Sequence, residues 1–359
     1  MRNKSEDIQQ FIVENLDEHE RDIARFAAEH FKISRAAIAK HLKALTAKGW
    51  IKGTGTTKAR RYERLPIDGT KFDLPVSPSL EEDVVWREQI FPHMKTIPEN
   101  VLTICNYGFT EMLNNVKDHS ESNLATIVLI LDAVSIRMIV RDMGIGVFQK
   151  IMRDFKLHDV RHALLELSKG KLTSDAKSHS GQGIFFTSRM FDKFILEANG
   201  FSYCRFNKED EWLLDESEES EVENGTAVTM VISRKSPRVA SSVFEEYAAE
   251  LSDYGFTKTH VPLVLARYEG EQLVSRSQAK RLLARVDQFK EVLLDFKDIK
   301  TIGQAFADEV FRVFAREHPN IQIVAIYANP EVQMMIERAK NEDIKQPTVP
   351  LFEQEPDAR

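Results

Sequence analysis

Cysteine is scarce in this chain. Cys105 and Cys204 are the two among 359 residues, too few for a disulfide framework or a zinc site. Long apolar runs are missing too. Nothing approaches the roughly 18 residues of a membrane span, and the opening MRNKSEDIQQ has no apolar signal region. There is no glycine loop followed by Gly-Lys-Ser/Thr, and no third glycine to complete a dinucleotide-binding fingerprint. These gaps exclude a disulfide scaffold, a membrane span and two common nucleotide sites, and make a reducing cytoplasm the expected compartment, with no membrane partner. A net charge of −7 gives the chain as a whole no general attraction to nucleic acid. What is present is ordinary for a soluble globular protein: 42% hydrophobic and 29% charged residues, at a length that predicts two or three domains.

Up to about Leu65 the apolar spacing predicts short helices. Ile8, Phe11, Ile12 and Leu16 share one face, and Ile23, Phe26, Ala27 and Phe31 a second. A third helix starts at Ser34 as N-cap, carries Ile38, Leu42 and Leu45, and stops at Gly49. Trp50-Ile51, a Gly/Thr turn and an extended run through Tyr62 then predict a small hairpin. Three helices and a hairpin form a winged helix-turn-helix pattern over residues 1–65. Ten Lys/Arg lie between Lys32 and Arg64 against one acid, Glu63, a local footprint for phosphate backbones. Arg35, Lys40 and Lys43 would face a major groove, and Lys58, Arg60 and Arg61 would track phosphates or a minor groove. A protein-interaction module with a solvated basic face is the alternative. KISRAAIAKHLKALTAKGWI resembles winged-helix transcription regulators of the ArsR/MarR kind, which implies double-stranded DNA as a partner.

Pro66, Pro75 and Pro78 mark residues 66–79 as a turn-rich linker. Residues 80–233 read as two helices, a strand pair, a long irregular stretch, a helix and further strands. The acidic run from Glu209 to Glu223 reads as a solvated hairpin loop. Four motifs follow in order. In GFTEMLNNVKDHS the i, i+4, i+8 spacing puts Glu111, Asn115 and His119 on one helix face, where they could hold a metal and a water; a plain polar face is the bland reading. A β-rich run delivers Asp142 into Gly144 and Gly146, which let the backbone approach a ligand whose amine the carboxylate could accept. Gly181 and Gly183 open an apolar helix, whose free amides suit phosphate. Thr226 leads the strand AVTMVIS.

In that order and spacing, residues 80–233 resemble the ATP-binding domain of the GHKL superfamily, the Bergerat α/β sandwich of gyrase B, Hsp90-type chaperones, sensor histidine kinases and MutL. The resemblance implies ATP and Mg²⁺. Asn115 would hold the metal, and His119 would lie on the same ATP-binding face. Glu111 would orient or deprotonate the attacking water. Asp142 would accept the adenine amine, Gly144 and Gly146 would shape the adenine side, Gly181 and Gly183 would line the phosphate lid, and Thr226 would support the base. The lid between Val147 and Ser180 carries Lys169, Lys171 and Lys177. Each reads as solvated, with Lys177 kept as an ATP-binding candidate. His93 follows a proline and lacks the neighbours of a phosphoacceptor histidine.

From about residue 241 to 340, helix and strand alternate, which predicts an α/β layer; residues 341–359 read as a flexible tail. EVLLDFKDIKTIGQAFADEVFRVFARE resembles STAS-like domains and, more distantly, the anti-sigma factor antagonists. Laid on the antagonist pattern, Gly303 takes the place of the Asp, and Gln304 and Ala305 the places of the serines, so an interaction or dimerisation module is expected rather than a phosphorylation target. A homodimer is left open. The fold expected is multidomain α+β, a winged helix, then a GHKL sandwich, then a STAS-like domain. The function expected is a cytoplasmic, ATP-binding, slowly hydrolysing DNA-binding regulator. A serine protein kinase of the anti-sigma type and a scaffold that binds ATP without turnover are the alternatives.

Overall fold

Ile38, Leu42 and Leu45 recur at helical spacing, and all three are buried. They sit on α3 (Arg35–Ala47), which follows α1 (Lys4–Glu14) and α2 (Ile23–Phe31). The Ser34 hydroxyl caps α3 by accepting the Ala37 N–H at 3.2 Å, and Gly49 ends it with φ +70°. The antiparallel strands β1 (Ile51–Thr54) and β2 (Arg61–Arg64) complete this N-terminal part. The computed structural model describes residues 4–56, 60–172, 181–216, 222, 224–248, 256–267 and 271–342.

The chain divides into two compact units, Met1–Val160 with Thr173–Glu245, and Arg161–Leu172 with Glu246–Arg359. After the hairpin, the first unit contains β3 (Asp68–Pro75), α4 (Glu82–Val85), α5 (Glu99–His119), β4 (Leu124–Leu131), β5 (Ser135–Asp142) and α6 (Val147–Phe155). The chain then enters α7 (Val160–Lys169), nearly all of which belongs to the second unit. Back in the first unit come α8 (Gly183–Met190), β6 (Lys193–Ala198), β7 (Phe201–Phe206), β8 (Glu211–Glu216), β9 (Thr226–Ser233) and α9 (Ala240–Glu246). The strands form one sheet in the order β3-β4-β5-β9-β6-β7-β8, antiparallel at every step.

Burial alternates along these strands. Ala125, Ile127, Leu129 and Leu131 of β4, and Ile136, Met138 and Val140 of β5, are buried, and α5 packs against β5, β9 and α8. One face of the sheet is therefore core, as period-two patterning requires. The turn between β4 and β5 reaches the other way: Ala133 and Val134 pack into the helical core formed by Ile12, Leu16 and Leu42. Arg64 of β2 pairs with Asp132 of that turn at 3.5 Å and with Asp17.

Two expectations are corrected. The segment read as linker, residues 66–79, carries β3, an edge strand of the sheet; its Asp, Gly and Pro residues are tolerated because an edge needs only one hydrogen-bonded side. Part of the acidic run read as a loop is β8, the opposite edge strand, paired with β7 from Phe206↔Glu211 to Phe201↔Glu216.

The second unit is built on β10 (Lys258–Pro262), α10 (Arg276–Leu283), β11 (Glu291–Asp295), α11 (Gln304–Asp308), α12 (Ala315–Glu317), β12 (Gln322–Ile326) and α13 (Pro330–Glu342). The expected helix–strand alternation is present, and β10, β11 and β12 form a parallel sheet in that order. Ser275 and Gln278 make a capping box at the start of α10.

The α7 segment overturns the reading of Lys169 as a solvated lysine. Lys169 is 1% exposed. Its Nζ donates to Glu166 Oε1 and to the Ala284 carbonyl, each at 2.8 Å, and its own carbonyl accepts the Thr259 hydroxyl at 2.7 Å. Burial pulls the Lys169 ammonium below its ordinary pKa against the pull of Glu166. For Glu166, burial alone would raise the pKa; the hydrogen bond from His162 and the charges of Lys169 and Arg285 outweigh it and hold the carboxyl low. Lys171 donates to the Gln288 carbonyl at 2.8 Å and lies 4.7 Å over the Phe289 ring. No helix among the described residues is long and apolar enough to cross a membrane.

Candidate functional site

Asp142 ends β5 on the same side of the strand as Ile136, Met138 and Val140, which is why a carboxylate enters the core at 3% exposure. Its Oδ1 accepts the Gly144 N–H at 2.8 Å, and the Thr226 backbone N–H also donates to it. Burial pushes the carboxyl above its ordinary pKa, and the two backbone donors offset part of that rise. Among the described residues no cation pairs with it. The hydroxyl of Thr226 accepts the Val147 N–H at 3.0 Å, so the first residue of β9 both supports Asp142 and starts α6.

The turn after Asp142 runs close to the end of α5. A Cβ on Gly144 would stand on the Ser120 carbonyl oxygen, and that oxygen accepts the Ile145 N–H at 2.9 Å. Only glycine permits this approach. Gly146 has φ +83° and is the N-cap residue of α6. Asn199, in the turn between β6 and β7, fastens it: Nδ2 donates to the Ile145 carbonyl at 3.2 Å, and Oδ1 accepts the Gln149 N–H at 3.3 Å.

Glu111 lies on α5, two turns before the helix ends, and its carboxylate faces the first residue of α8. A Cβ on Gly183 would collide with Glu111 Oε2, so glycine lets the acid lie directly on a helix N-terminus, where the helix dipole favours negative charge. Burial, together with the Glu111 carboxylate one turn along α5, drives the Tyr107 pKa far upward. One turn beyond Glu111, the half-buried Asn115 brings Nδ2 to 4.0 Å from Met112 Sδ. His119 is half-buried at the last position of α5. Gly181, with φ +65°, precedes α8. Lys177 lies outside the described residues.

β5 and β9 are antiparallel neighbours with Arg141 opposite Ala227, and β6 meets β9 with Ala198 opposite Thr226. Asp142, Thr226 and Asn199 therefore gather at one end of the sheet, beside the C-terminal half of α5. Tyr107, Ser120 and Asn199 were missed at the sequence level. Asn199-Gly200 between two β-rich runs was a readable hairpin signal; Ser120 and Tyr107 gave none. Among the described residues no group of three or more His, Cys, Asp or Glu is gathered for a metal. A polar cleft lined by Asp17, Tyr62, Arg64, Asp132 and Arg137 lies at the other end of β5, where Arg64 is already taken up by Asp17 and Asp132.

The N-terminal basic residues form a different kind of surface. Arg35, Lys40 and Lys43 are exposed on the side of α3 away from its buried face, and Arg60 and Arg61 are exposed beside β1. Arg60 lies 5.2 Å over the Tyr62 ring. Among the described residues no hydrogen bond or ion pair engages the side chains of Arg35, Lys40, Lys43 or Arg61. Lys58 lies outside the described residues. Arg64, by contrast, is drawn inward by its two acids.

Residues 278–333 match the model of a family described as a STAS-like domain of unknown function (DUF4325). The match runs from α10 into α13, so a multidomain α+β chain ends in a STAS-like domain. No curated protein matches the chain. Gly303 opens α11 with its N–H on the Leu273 carbonyl at 2.8 Å, and a Cβ there would meet the Val274 backbone at 2.7 Å. An aspartate side chain has no room at that position.

Proposed function

We propose that this protein is an ATP-responsive DNA-binding regulator: a winged helix over residues 1–65, a GHKL-type ATP-binding domain built on the sheet of β3 to β9, and a STAS-like interaction module. The observation that carries the reading is that Asp142, Gly144 and Thr226 meet at one end of an antiparallel sheet, while on α5, the helix packed on that sheet, Glu111 lies against Gly183 at the start of α8.

On this reading the adenine amine donates to Asp142, a buried acceptor that among the described residues is answered otherwise only by two backbone N–H groups. Gly144 keeps the backbone open beside the base. The N-terminal amides of α8 face the phosphates. Glu111 holds or deprotonates the attacking water. Mg²⁺ fits the donor set: it usually keeps several waters and binds one or two protein groups together with the phosphates, and the Asn115 amide oxygen supplies a hard ligand. When bound, the metal neutralises phosphate charge. The segment expected as the lid includes α7, which packs within the second unit, so a change in the lid is tied through the chain to the STAS-like module. The basic face of α3, together with Arg61 of the hairpin, supplies cations for a phosphate backbone that are unpaired among the described residues.

Two measurements test this. Mg-ATP is expected to bind and to release phosphate slowly, and Glu111→Ala is expected to abolish release while binding persists; retained release refutes the role given to Glu111. Duplex DNA is expected to bind with a steep salt dependence. Binding that ignores salt, or no binding across a promoter library, refutes the role given to the N-terminal part.

A further inference from the structure

Glu111 is held from two sides, and one of those sides leads out of the site. Tyr107 stands one helical turn before it on the same face of α5, near enough for the Glu111 carboxylate to help raise the tyrosine pKa. The Tyr107 ring in turn meets Phe244 edge-on, with centroids 5.5 Å apart and planes at 82°. Phe244 belongs to α9, and it also packs against Phe186 of α8 at 4.7 Å. One side chain of α9 therefore touches both the helix that carries Glu111 and the helix whose first residue lies against the Glu111 carboxylate.

The segment that leads into α9 is anchored to the same two helices. Asn100 of α5 donates through Nδ2 to the Ser236 and Arg238 carbonyls at 2.8 and 2.9 Å. Arg238 donates to the carbonyl of Met190, the last residue of α8, at 2.9 Å. α9 is also the last element of the first unit, and the chain passes into the second unit at Glu246. Phe244 remains 38% exposed.

We propose that Tyr107 is a positioning residue for Glu111, and that α9 sets its geometry through Phe244. This rests on the ATPase reading above. A neutral hydroxyl that donates to the carboxylate stabilises its ionised form and restricts its rotamers. Burial and the neighbouring negative charge keep the tyrosine protonated, so it remains a donor throughout the working pH range. A displacement of α9 shifts the Tyr107 ring, and with it the orientation of Glu111.

The test compares the full-length wild type with Tyr107→Phe, Phe244→Ala and Glu111→Ala. The readouts are binding of a fluorescent Mg-ATP analogue, phosphate release across pH, and titration of the Glu111 carboxyl by NMR without nucleotide. Tyr107→Phe keeps the ring and removes only the donor. It is expected to leave nucleotide affinity within about twofold and to slow phosphate release about tenfold or more. It should also raise the Glu111 titration, moving the acid limb of the rate profile to higher pH. Phe244→Ala is expected to act in the same direction by less. An unchanged Glu111 titration and an unchanged pH profile in Tyr107→Phe overturn the proposal. If Phe244→Ala leaves both readouts as in wild type, the part played by α9 is overturned. If the wild type binds no nucleotide, the ATPase reading fails, and the Glu111 titration still decides whether Tyr107 controls that carboxylate.

Discussion

The two units treat buried carboxylates in opposite ways. In the second unit each one described has a basic side chain beside it: Glu166 has Lys169 at 2.8 Å, Asp295 has His260 at 2.8 Å, Asp308 has Arg312, and Glu309 has Lys280 at 3.8 Å. In the first unit Asp142 is as deeply buried, and among the described residues only backbone N–H groups answer it. A buried acid with a charged partner holds a fold together. A buried acid left with acceptor capacity and no cation is kept at a cost in solvation; on the proposed reading a ligand amine supplies the missing donor.

That contrast yields predictions of decreasing size. The largest effect is expected from Glu166→Gln, which leaves Lys169 buried without its anion. Breaking a buried pair from one side typically costs about 3–5 kcal/mol. Urea unfolding of the full chain should show the loss in the transition that reports the second unit. If stability is unchanged, the pair does not hold α7 in that unit.

Asp142→Asn should separate function from stability. The variant is expected to fold and to bind Mg-ATP about 10- to 100-fold more weakly, the worth of a hydrogen bond to a charged group, as measured by calorimetric titration. Its stability should respond to pH in a defined direction. The folded Asp142 carboxyl titrates above its ordinary value, so its contribution is fully present below the unfolded pKa and is lost as pH rises through the folded pKa. The wild type should therefore lose stability relative to Asp142→Asn across that window. A constant difference from acid to neutral pH would show that Asp142 is not destabilised by burial.

The smallest effect concerns the surface cations. Replacing Arg35, Lys40 and Lys43 together by Ala should leave thermal stability nearly unchanged and make the log–log salt slope of DNA binding shallower by about 2 to 3. An unaltered slope would remove α3 from the interface.

The legible parts of the molecule were those written in short-range pattern. α3, with its Ser34 cap and its Ile38–Leu42–Leu45 face, was readable, as was the parallel α/β alternation of the second unit. Asp142 was readable as a candidate because a β-rich run delivers it into two glycines. Its burial follows from strand alternation, which places it in line with Val140. The edge strands were hidden by composition: β3 carries the Asp, Gly and Pro of a turn, and β8 carries the acids of a loop, because an edge strand faces solvent and is free of core demands. Lys169 was misread because, apart from Glu166 one turn earlier, its partners, the Ala284 carbonyl and Thr259, lie far along the chain. Tyr107 looked like one more aromatic on an amphipathic helix, and its contact with Phe244 depends on how α9 folds back across α5 and α8.

The central claim is that the sheet end around Asp142 recognises an adenine nucleotide. Calorimetric titration of the wild type with Mg-ATP and, separately, Mg-GTP tests it most directly. Asp142 offers an acceptor, which suits the amine of adenine and opposes the carbonyl oxygen of guanine. The expected result is saturable binding of ATP at one site per chain, with GTP at least about tenfold weaker. Equal affinity for the two nucleotides, or no heat with either, would contradict it.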